Sequence, residues 1–396
     1  MIKITNPADC CGCTACASIC KHKAIKLSTD EKGFVYPVFN SNLCVNCGLC
    51  DNVCPVLNNE RRNNDYKAIY AVRVKDEEIL MRSSSGGAFY SVASYVITVL
   101  NGVVFGVEYD ENMVVRHTCT DTIEGLNKYH GSKYVQSDTT GIYDKVKAIL
   151  IQGRYVLFTG TPCQVMALRL FLKKTYKKLI CIDLICHSVP SPLIFKEYVD
   201  LVGKRHRSKV VSIDMRNKKY GWSHSFYYYY YFSDGQIIGS EKLRCVDWGK
   251  LFFSGLITRD SCNECKFSSY RRTGDITIAD FWDDGFKRPE AYSKKGTSLF
   301  IINTEIGLHT MGKIRDSIQF WEINKEEAFQ PCLVHPVAPN PLKQSFWAYY
   351  KKHGFEKSYN KYFVVSKLAK FKCRLKTIAK TILSKLEYLS RIESKK

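Results

Sequence analysis

Eight cysteines in the first 54 residues fall into one spacing twice, which obliges this segment to fold around metal. Cys10, Cys13, Cys16 and Cys20 are spaced Cys-x2-Cys-x2-Cys-x3-Cys; Cys44, Cys47, Cys50 and Cys54 repeat the spacing, and Pro55 follows. Three thiolates two residues apart wrap one face of an iron–sulfur cubane, and the fourth, on the helix that follows, reaches the neighbouring cluster. The spacing therefore predicts a bacterial-type ferredoxin unit with two 4Fe-4S clusters. One would be held by Cys10, Cys13, Cys16 and Cys54, the other by Cys44, Cys47, Cys50 and Cys20. Structural zinc sites use Cys-x2-Cys pairs separated by longer loops, not three steps in succession. Two departures are visible. Cys11 is an extra thiol, a spare or an alternative ligand, and Lys21 stands where proline follows the second run. Neither removes a ligand.

The chain has 396 residues, more than one domain by the usual prior and ample for a large core. Its 18 cysteines are organised as metal ligands rather than as a disulfide frame. The start, MIKITNPADC, lacks the basic and apolar parts of a signal peptide. The most apolar stretch, Val92–Val107, is interrupted by Ser94, Asn101 and two glycines and reads as a core helix followed by a strand. The expected compartment is the reducing cytoplasm.

The net charge is +21, and residues 343–396 carry 15 Lys/Arg against 3 Asp/Glu. Within that tail Leu368, Phe371, Leu375, Ile378, Ile382, Leu386 and Leu389 recur at helical spacing, the pattern of an amphipathic helix with a basic face. Such a helix suits an anionic membrane surface from the inner side. Equally, it suits packing on its own domain or a partner. Nucleic-acid binding is disfavoured, since no reading motif accompanies the charge.

Between these ends, Asn58–Asp65 (NNERRNND) reads as a linker. Strands are then expected at Ala68–Val74, Val103–Tyr109, Val114–Thr120, Tyr155–Phe158 and Leu179–Ile185, and helices at Gly86–Leu100, Gly141–Ile151, Pro162–Lys173 and Pro192–Val202. This alternation predicts an α/β domain with a substantially parallel sheet. Phe226–Phe232, followed by Ser-Asp-Gly, reads as a β-hairpin whose five tyrosines form a strand with two wettable faces. Ile276–Phe281 and Leu299–Asn303 are later strand candidates.

Thr159-Gly160-Thr161-Pro162-Cys163 lies between a buried strand and a helix, with Thr161 suited to N-cap and Pro162 to the first helical position. Cys186 ends the next strand, and parallel strands open at their carboxyl ends into a common crevice. With Cys262 and Cys265, four thiols from three places are candidates for a third 4Fe-4S cluster. A zinc site is a second reading; a redox-active Cys163 beside a structural Cys262/Cys265 pair is a third. Ser83–Gly87 at a helix start exposes N–H groups to a cofactor phosphate, and Lys133 in Gly131–Tyr134 is placed to approach a phosphate or a reduced flavin. Clusters pass single electrons whereas organic substrates take two, so a flavin is the expected converter. His187 is a candidate proton donor, against a purely structural histidine. The sequence fixes no catalytic residue; Lys133 and His187 are the candidates.

RSSSGGAF (82–89), HGSKYVQS (130–137), FTGTPCQV (158–165), DLICHSVPSP (183–192), MRNKKYGW (215–222) and CNECKF…DITIADFW (262–282) occur in that order. In this ordered set the chain resembles the beta subunits of coenzyme F420-reducing hydrogenases and the related formate dehydrogenase beta subunits. The resemblance spans about residues 1–340. It implies a multidomain α+β and α/β protein, with a two-cluster ferredoxin domain (1–57), a linker (58–66) and an α/β flavin-binding domain in two parts (67–152 and 153–340); the basic helical tail (341–396) lies outside the shared core. The resemblance further implies FAD, with Ser84, Ser85, Gly86, Gly87, Lys133, Tyr134, Gln136, Thr159, Gly160 and Thr161 in the flavin neighbourhood. Cys163, Cys186, Cys262 and Cys265 become the domain's own cluster ligands. The implied partners are ferredoxin or a redox partner subunit and a small-molecule two-electron acceptor or donor. Among bacterial relatives the implied setting is surface-polysaccharide synthesis. The alternative is an electron-transfer subunit with no substrate chemistry of its own.

Overall fold

Left-handed residues open both short helices of the cysteine-rich segment. Helix α1 (Ala15–Ile19) follows Thr14 at φ 64°, and α2 (Leu49–Asn52) follows Gly48 at φ 71°, each turning the chain out of a cysteine loop. Between them β1 (Ile25–Thr29) and β2 (Val35–Phe39) pair antiparallel. The computed structural model describes residues 3–4, 6–60, 65–222, 227–240, 247–282 and 288–364. Two compact units divide the chain, Met1–Pro341 and Leu342–Lys396.

The first unit is built on an eight-stranded sheet. Its strands are β3 (Ala68–Val74), β4 (Val103–Tyr109), β5 (Val115–Thr120), β6 (Val156–Gly160), β7 (Leu179–Leu184), β11 (Ile276–Asp280), β12 (Ser298–Ile302) and β13 (Ile318–Glu322). They lie in the order β13-β3-β12-β11-β7-β6-β4-β5. Parallel pairing is confined to the four central strands β4, β6, β7 and β11; both flanks are antiparallel. The expectation of a substantially parallel sheet is thus corrected to a mixed sheet with a parallel centre. The reason is local: β4 runs into β5 through a five-residue turn, and a parallel partner requires a crossover of a dozen residues or so.

Helices cover both faces. On one, α4 (Ala88–Thr98) and α9 (Glu305–Ile314) bring Val92, Val96, Met311 and Ile314 against Leu157, Ile180, Ile276 and Phe300. On the other, α5 (Ile142–Ile151) and α6 (Pro162–Leu172) bring Val146, Leu150, Val165 and Leu168 against Phe105, Val156, Phe158 and Cys181. Ala15, Ile19 and Val53 of the cysteine-rich segment belong to that second core. The docking is reinforced where Tyr143 Oη (2.8 Å) and Thr139 Oγ1 (3.0 Å) donate to the Cys13 carbonyl. The two cysteine runs are therefore seated on the α5–α6 layer, not tethered at a distance.

The remaining helices of this unit are α3 (Glu77–Arg82), α7 (Pro192–His206) and α8 (Trp248–Phe253). A smaller antiparallel sheet holds β8 (Val210–Asp214), β9 (Tyr229–Phe232) and β10 (Ile237–Gly239) in the order β10-β9-β8. The hairpin is where the tyrosine run and Ser-Asp-Gly predict it, but its tyrosines do not have two wettable faces. Tyr228 and Tyr230 are buried and only Tyr229 and Tyr231 are part-exposed, because α7 and α8 cover one side: Tyr198 bonds Tyr230 and packs on Trp248. In the second unit, α10 (Lys343–Phe363) breaks at Gly354 (φ 75°, ψ 178°), so that Lys361 Nζ lies 3.9 Å over the Tyr349 ring. The amphipathic pattern Leu368–Leu389 lies outside the described residues. Among the described residues no helix is long and apolar enough to cross a membrane.

One buried ion pair locks the central strands to the loop before β11. Asp183 Oδ1 accepts from Arg272 Nη2 (3.1 Å) and Thr277 Oγ1 (2.5 Å), while Oδ2 accepts from Thr273 N (2.9 Å), Thr273 Oγ1 (2.7 Å) and Gly274 N (2.9 Å). Both partners are fully buried. Asp183→Ala strands the Arg272 charge and is expected to cost about 3–5 kcal/mol, read as a fall in the denaturant midpoint.

Candidate iron–sulfur and cofactor site

Strand β6 ends at Gly160, and helix α6 starts two residues later because Thr161 and Pro162 are built for that place: Gln164 Oε1 accepts from Thr161 N and Thr161 Oγ1, both at 3.0 Å. Cys163 Sγ lies 3.2 Å from Thr161 Oγ1. The neighbouring parallel strand β7 ends at Leu184, so Cys186 emerges at the same edge of the sheet. Cys262 and Cys265 arrive from a turn whose entry is held by Arg259 N donating to Val189 O (2.9 Å). Its exit is held by Arg272 Nη1 donating to Phe267 O (3.3 Å) and Ser269 O (3.1 Å).

These four thiols line one cavity of about 810 Å³ including its mouth, together with Cys11, Thr161, His187 and Glu264. Burial pushes the Cys262 thiol up to about 12, and the charges of Cys265 and Cys163 add to the effect. Cys186 is raised well above its ordinary value by burial and then by Cys262, Cys163, Cys265 and Cys332. Thiols packed this way repel as thiolates unless a cationic core sits among them, so the donor set suits an iron–sulfur cluster. Among the described residues no three His, Cys, Asp or Glu side chains close around a single-ion site; the thiols ring a cavity instead.

The first cysteine run makes a second, smaller cavity of about 420 Å³, lined by Cys10, Cys13, Cys16 and Cys54 with Ile4, Leu27 and Val35. Burial, followed by the charges of Cys10 and Cys54, pushes Cys16 up to about 12. Cys20 and Cys50 pack on one small core with Cys16, while Cys44 is part-exposed and Cys47 exposed. Cys11 lines both cavities, and its thiol neighbours those of Cys13 and Cys163. The extra thiol noticed in the sequence stands between the two groups of cysteines.

The residues expected near a flavin divide into two places. Ser84 Oγ accepts from Ser132 N (2.7 Å) and Ser132 Oγ (3.0 Å), joining the RSSSGG and HGSKY segments. Lys218 Nζ, buried, donates to Leu80 O (2.5 Å) and Ser85 O (2.6 Å). Arg216 Nη1 donates to Tyr134 Oη (2.8 Å) and Asp280 Oδ2 (2.9 Å), with the guanidinium 5.7 Å over Trp282. Trp282 stacks on Trp222 at 4.7 Å. Lys133 Nζ donates to Lys128 O and His130 O, both at 2.8 Å, and lies 5.8 Å over the Tyr109 ring. Buried Tyr109 Oη, His130 Nε2 and Trp222 Nε1 have no partner among the described residues. Four motifs far apart in sequence thus meet in one cationic, aromatic patch.

Other candidates are committed to structure. The Gly86 N–H is taken by Ser298 Oγ (2.8 Å), and a Cβ on Gly86 would meet Val72 O at 2.3 Å, so close strand packing explains this glycine better than an anion cradle. Gly87 is the left-handed N-cap of α4. Ser85 Oγ donates to Thr297 O (2.7 Å), and Thr159 Oγ1 to Phe105 O (2.9 Å). Gly160 is buried at the end of β6. Gln136 bolts the cysteine-rich segment in place: its Nε2 donates to Cys11 O (3.1 Å) and its Oε1 accepts from Arg259 Nη1 (3.1 Å). His187 faces the larger cavity, with Nδ1 3.2 Å from Ser188 Oγ and Phe252 and Phe253 beside its ring; burial pulls its pKa down. Arg216, Lys218, Arg259 and Cys332 escape sequence reasoning as individuals. MRNKKYGW carries the first two only as a segment, and no local pattern flags a solitary arginine or cysteine.

A protein with clustered thiols at the mouth of a mixed α/β sheet, seated against a two-run ferredoxin segment, is an iron–sulfur protein of the electron-transferring kind. The profile described as "4Fe-4S dicluster domain" matches residues 9–58, and the profile for the C terminus of the coenzyme F420 hydrogenase/dehydrogenase beta subunit matches 153–327. The chain is 22% identical over 361 residues to the F subunit of the F(420)H(2) dehydrogenase of Methanosarcina mazei, covering 81% of this chain and 94% of that one. It is 24% identical over 287 residues to the beta subunit of the coenzyme F420 hydrogenase of Methanococcus voltae, covering 67% and 95%. In the xenon-derivatised F420-reducing NiFe hydrogenase complex from Methanosarcina barkeri, one chain aligns over 76% of this chain and 92% of its own length, with 17% identity and a TM-score of 0.42. The chain therefore carries a 4Fe-4S dicluster domain over residues 9–58 and, over residues 153–327, a domain that matches the C terminus of the coenzyme F420 hydrogenase/dehydrogenase beta subunit.

Burial lowers both Lys133 and Lys218 to about 7, so each is able to give or take a proton near neutrality. Between pH 7 and the ordinary lysine range the unfolded chain holds a proton on Lys218 that the folded chain has lost. Stability therefore rises with pH across that window and is lowest at and below pH 7. Lys218→Met is expected to remove up to about 1.4 kcal/mol per pH unit of that slope, checked by urea midpoints at pH 7.5 and pH 9 beside the unsubstituted protein.

Proposed function

We propose that the chain is an iron–sulfur flavoprotein oxidoreductase, passing electrons between ferredoxin-type clusters, FAD and a small-molecule two-electron acceptor or donor. The observation that carries this reading is the ring of Cys163, Cys186, Cys262 and Cys265 around one cavity whose wall includes Cys11 of the cysteine-rich segment. In it Cys10, Cys13, Cys16 and Cys54 hold one N-terminal cluster, Cys20, Cys44, Cys47 and Cys50 the other, and the four later cysteines a third. Ser84, Lys133 and Tyr134, with Arg216 and Lys218, supply the cationic and hydroxyl groups that suit the phosphates and polar ring edge of FAD. FAD, when bound, would supply the exchange between single and paired electrons. Lys133, pulled to about 7 by burial, suits it as the proton carrier in that exchange.

The curated relatives are named as subunits, which favours electron supply from ferredoxin or a partner subunit and makes a deazaflavin one natural acceptor to test. The same observation favours a second reading, a connecting subunit that makes no product alone. The setting in surface-polysaccharide metabolism rests on the resemblance, and a place at the inner face of the membrane on the basic tail.

Anaerobically purified full-length protein is expected to hold about 12 iron per chain, three cubanes of four, with one FAD. Cys186→Ser is expected to lower this to about 8 iron and leave the N-terminal pair in place. About 8 iron in the unsubstituted protein, or no flavin, sinks the proposal. Reduction of a deazaflavin by the reduced protein alone supports the enzyme; reduction only when a partner is added supports the connecting subunit.

A further inference from the structure

Arg259 is fully buried, and nothing in the function proposed above uses it. Its Nε donates to Cys10 O (2.7 Å), Nη1 to Gln136 Oε1 (3.1 Å) and Nη2 to Val35 O (2.9 Å). The guanidinium carbon lies 4.3 Å over the Tyr36 ring and 5.3 Å over Phe34. It presses on the first cysteine loop so closely that a Cβ on Gly12 would stand 2.6 Å from Nη1. All of its hydrogen-bond partners are neutral. Among the described residues no carboxylate pairs with it: the next residue, Asp260, bonds Lys32 at 3.2 Å. Tyr36, pushed up to about 12 by burial, is no counter-ion near neutrality. A buried guanidinium with no opposite charge is costly, and keeping one calls for negative charge supplied from elsewhere.

The position of Arg259 says where that charge comes from. It holds the backbone of Cys10, stands three residues before Cys262, and its charge is felt at Cys163 and Cys262. Thus it touches the backbone of one cysteine group and its charge reaches the other. A cubane with four thiolates is an anion that becomes more negative on reduction, and nearby charge and hydrogen bonding set its potential.

We propose that Arg259 is a positioning residue of the electron path: a buried cation shared by the Cys10/Cys13/Cys16/Cys54 site and the Cys163/Cys186/Cys262/Cys265 site that favours the reduced state of both. This rests on the three-cluster reading given above. Because the charge acts on both sites, it favours reduction at each without opening a large difference between them, and that difference is the driving force for transfer.

The test is an anaerobic redox titration of the full chain followed by electron paramagnetic resonance, with iron counted in each sample. In Arg259→Gln, at unchanged iron content, reduction of both adjacent clusters is expected to become about tenfold less favourable, about 59 mV for a one-electron couple. The more distant Cys20/Cys44/Cys47/Cys50 cluster serves as the internal control and is expected to stay put. Arg259→Lys keeps the charge and is expected to remain within about twofold of the unsubstituted protein on that scale. Unchanged potentials in Arg259→Gln overturn the proposal. So does an equal shift in both variants, or loss of iron in both, since each leaves Arg259 with a structural role only. If the unsubstituted protein itself has only about 8 iron, the three-cluster reading fails separately, and the shift at the first N-terminal cluster still decides the role of Arg259.

Discussion

The ion pair between Asp183 and Arg272 is the contact on which the site's geometry depends. Asp183 is the last fully buried residue of β7, three positions before Cys186. Arg272 leaves the loop that carries Cys262 and Cys265, and its donors reach back to Phe267 O and Ser269 O as well as to the carboxylate. A single charge pair therefore fixes two of the three chain segments that bring thiols together. Thr273 adds the third, since its Oγ1 also lies 3.0 Å from Pro162 O at the start of α6. Buried pairs contribute little net stability over well-packed apolar groups, but losing one partner is severe. What this pair provides is register: the loop before β11 can sit against β7 in only one place.

Much of the central domain is legible locally. Ala68–Val74 and Val103–Tyr109 form strands over the residues their composition indicates, and Thr161-Pro162 starts α6 where capping chemistry requires. The cysteine runs are legible for a different reason, because ligand spacing is itself a short-range geometric constraint. What escapes is long-range. Nothing in Ile318–Glu322 announces that it will be the edge strand beside β3, and the burial of Tyr228 and Tyr230 depends on α7 and α8. The extra thiol Cys11 can be noticed in the sequence, but its place between the two cavities needs β6, β7 and the α5–α6 layer to be assembled first. Arg259 is the extreme case, with contacts at Cys10, Val35 and Gln136 from more than a hundred residues away.

The seating of the cysteine-rich segment has a consequence for electron transfer. A ferredoxin unit on a flexible tether would meet its acceptor through a population of distances. Here Ala15, Ile19 and Val53 share a core with α5 and α6, and the Cys13 carbonyl takes two side-chain hydrogen bonds from the main domain. Changing that distance means opening a packed interior, which is resisted as in any protein core. The two cysteine-lined cavities are held at one separation, with Cys11 between them.

Fixed separation leaves driving force as the quantity the chain can tune, and here charge placement matters more than total charge. The +21 of the whole chain is mostly solvated and screened within about 10 Å at ordinary salt. Besides Arg272 in its pair with Asp183, the buried cations of the first unit among the described residues are Arg259 beside the thiols, and Lys218 and Arg216 in the patch formed by the RSSSGG, HGSKY and MRNKKYGW segments. Arg216 is paired with Asp280, whereas Lys218 is held by carbonyl groups and is pulled to about 7 by burial. Lys218 can thus shed its charge near neutral pH, while a guanidinium such as that of Arg259 keeps its own. On the proposed path the two cation types suit different ends: a permanent charge beside the thiols that would hold metal, and a titratable one where a paired-electron acceptor would also gain protons.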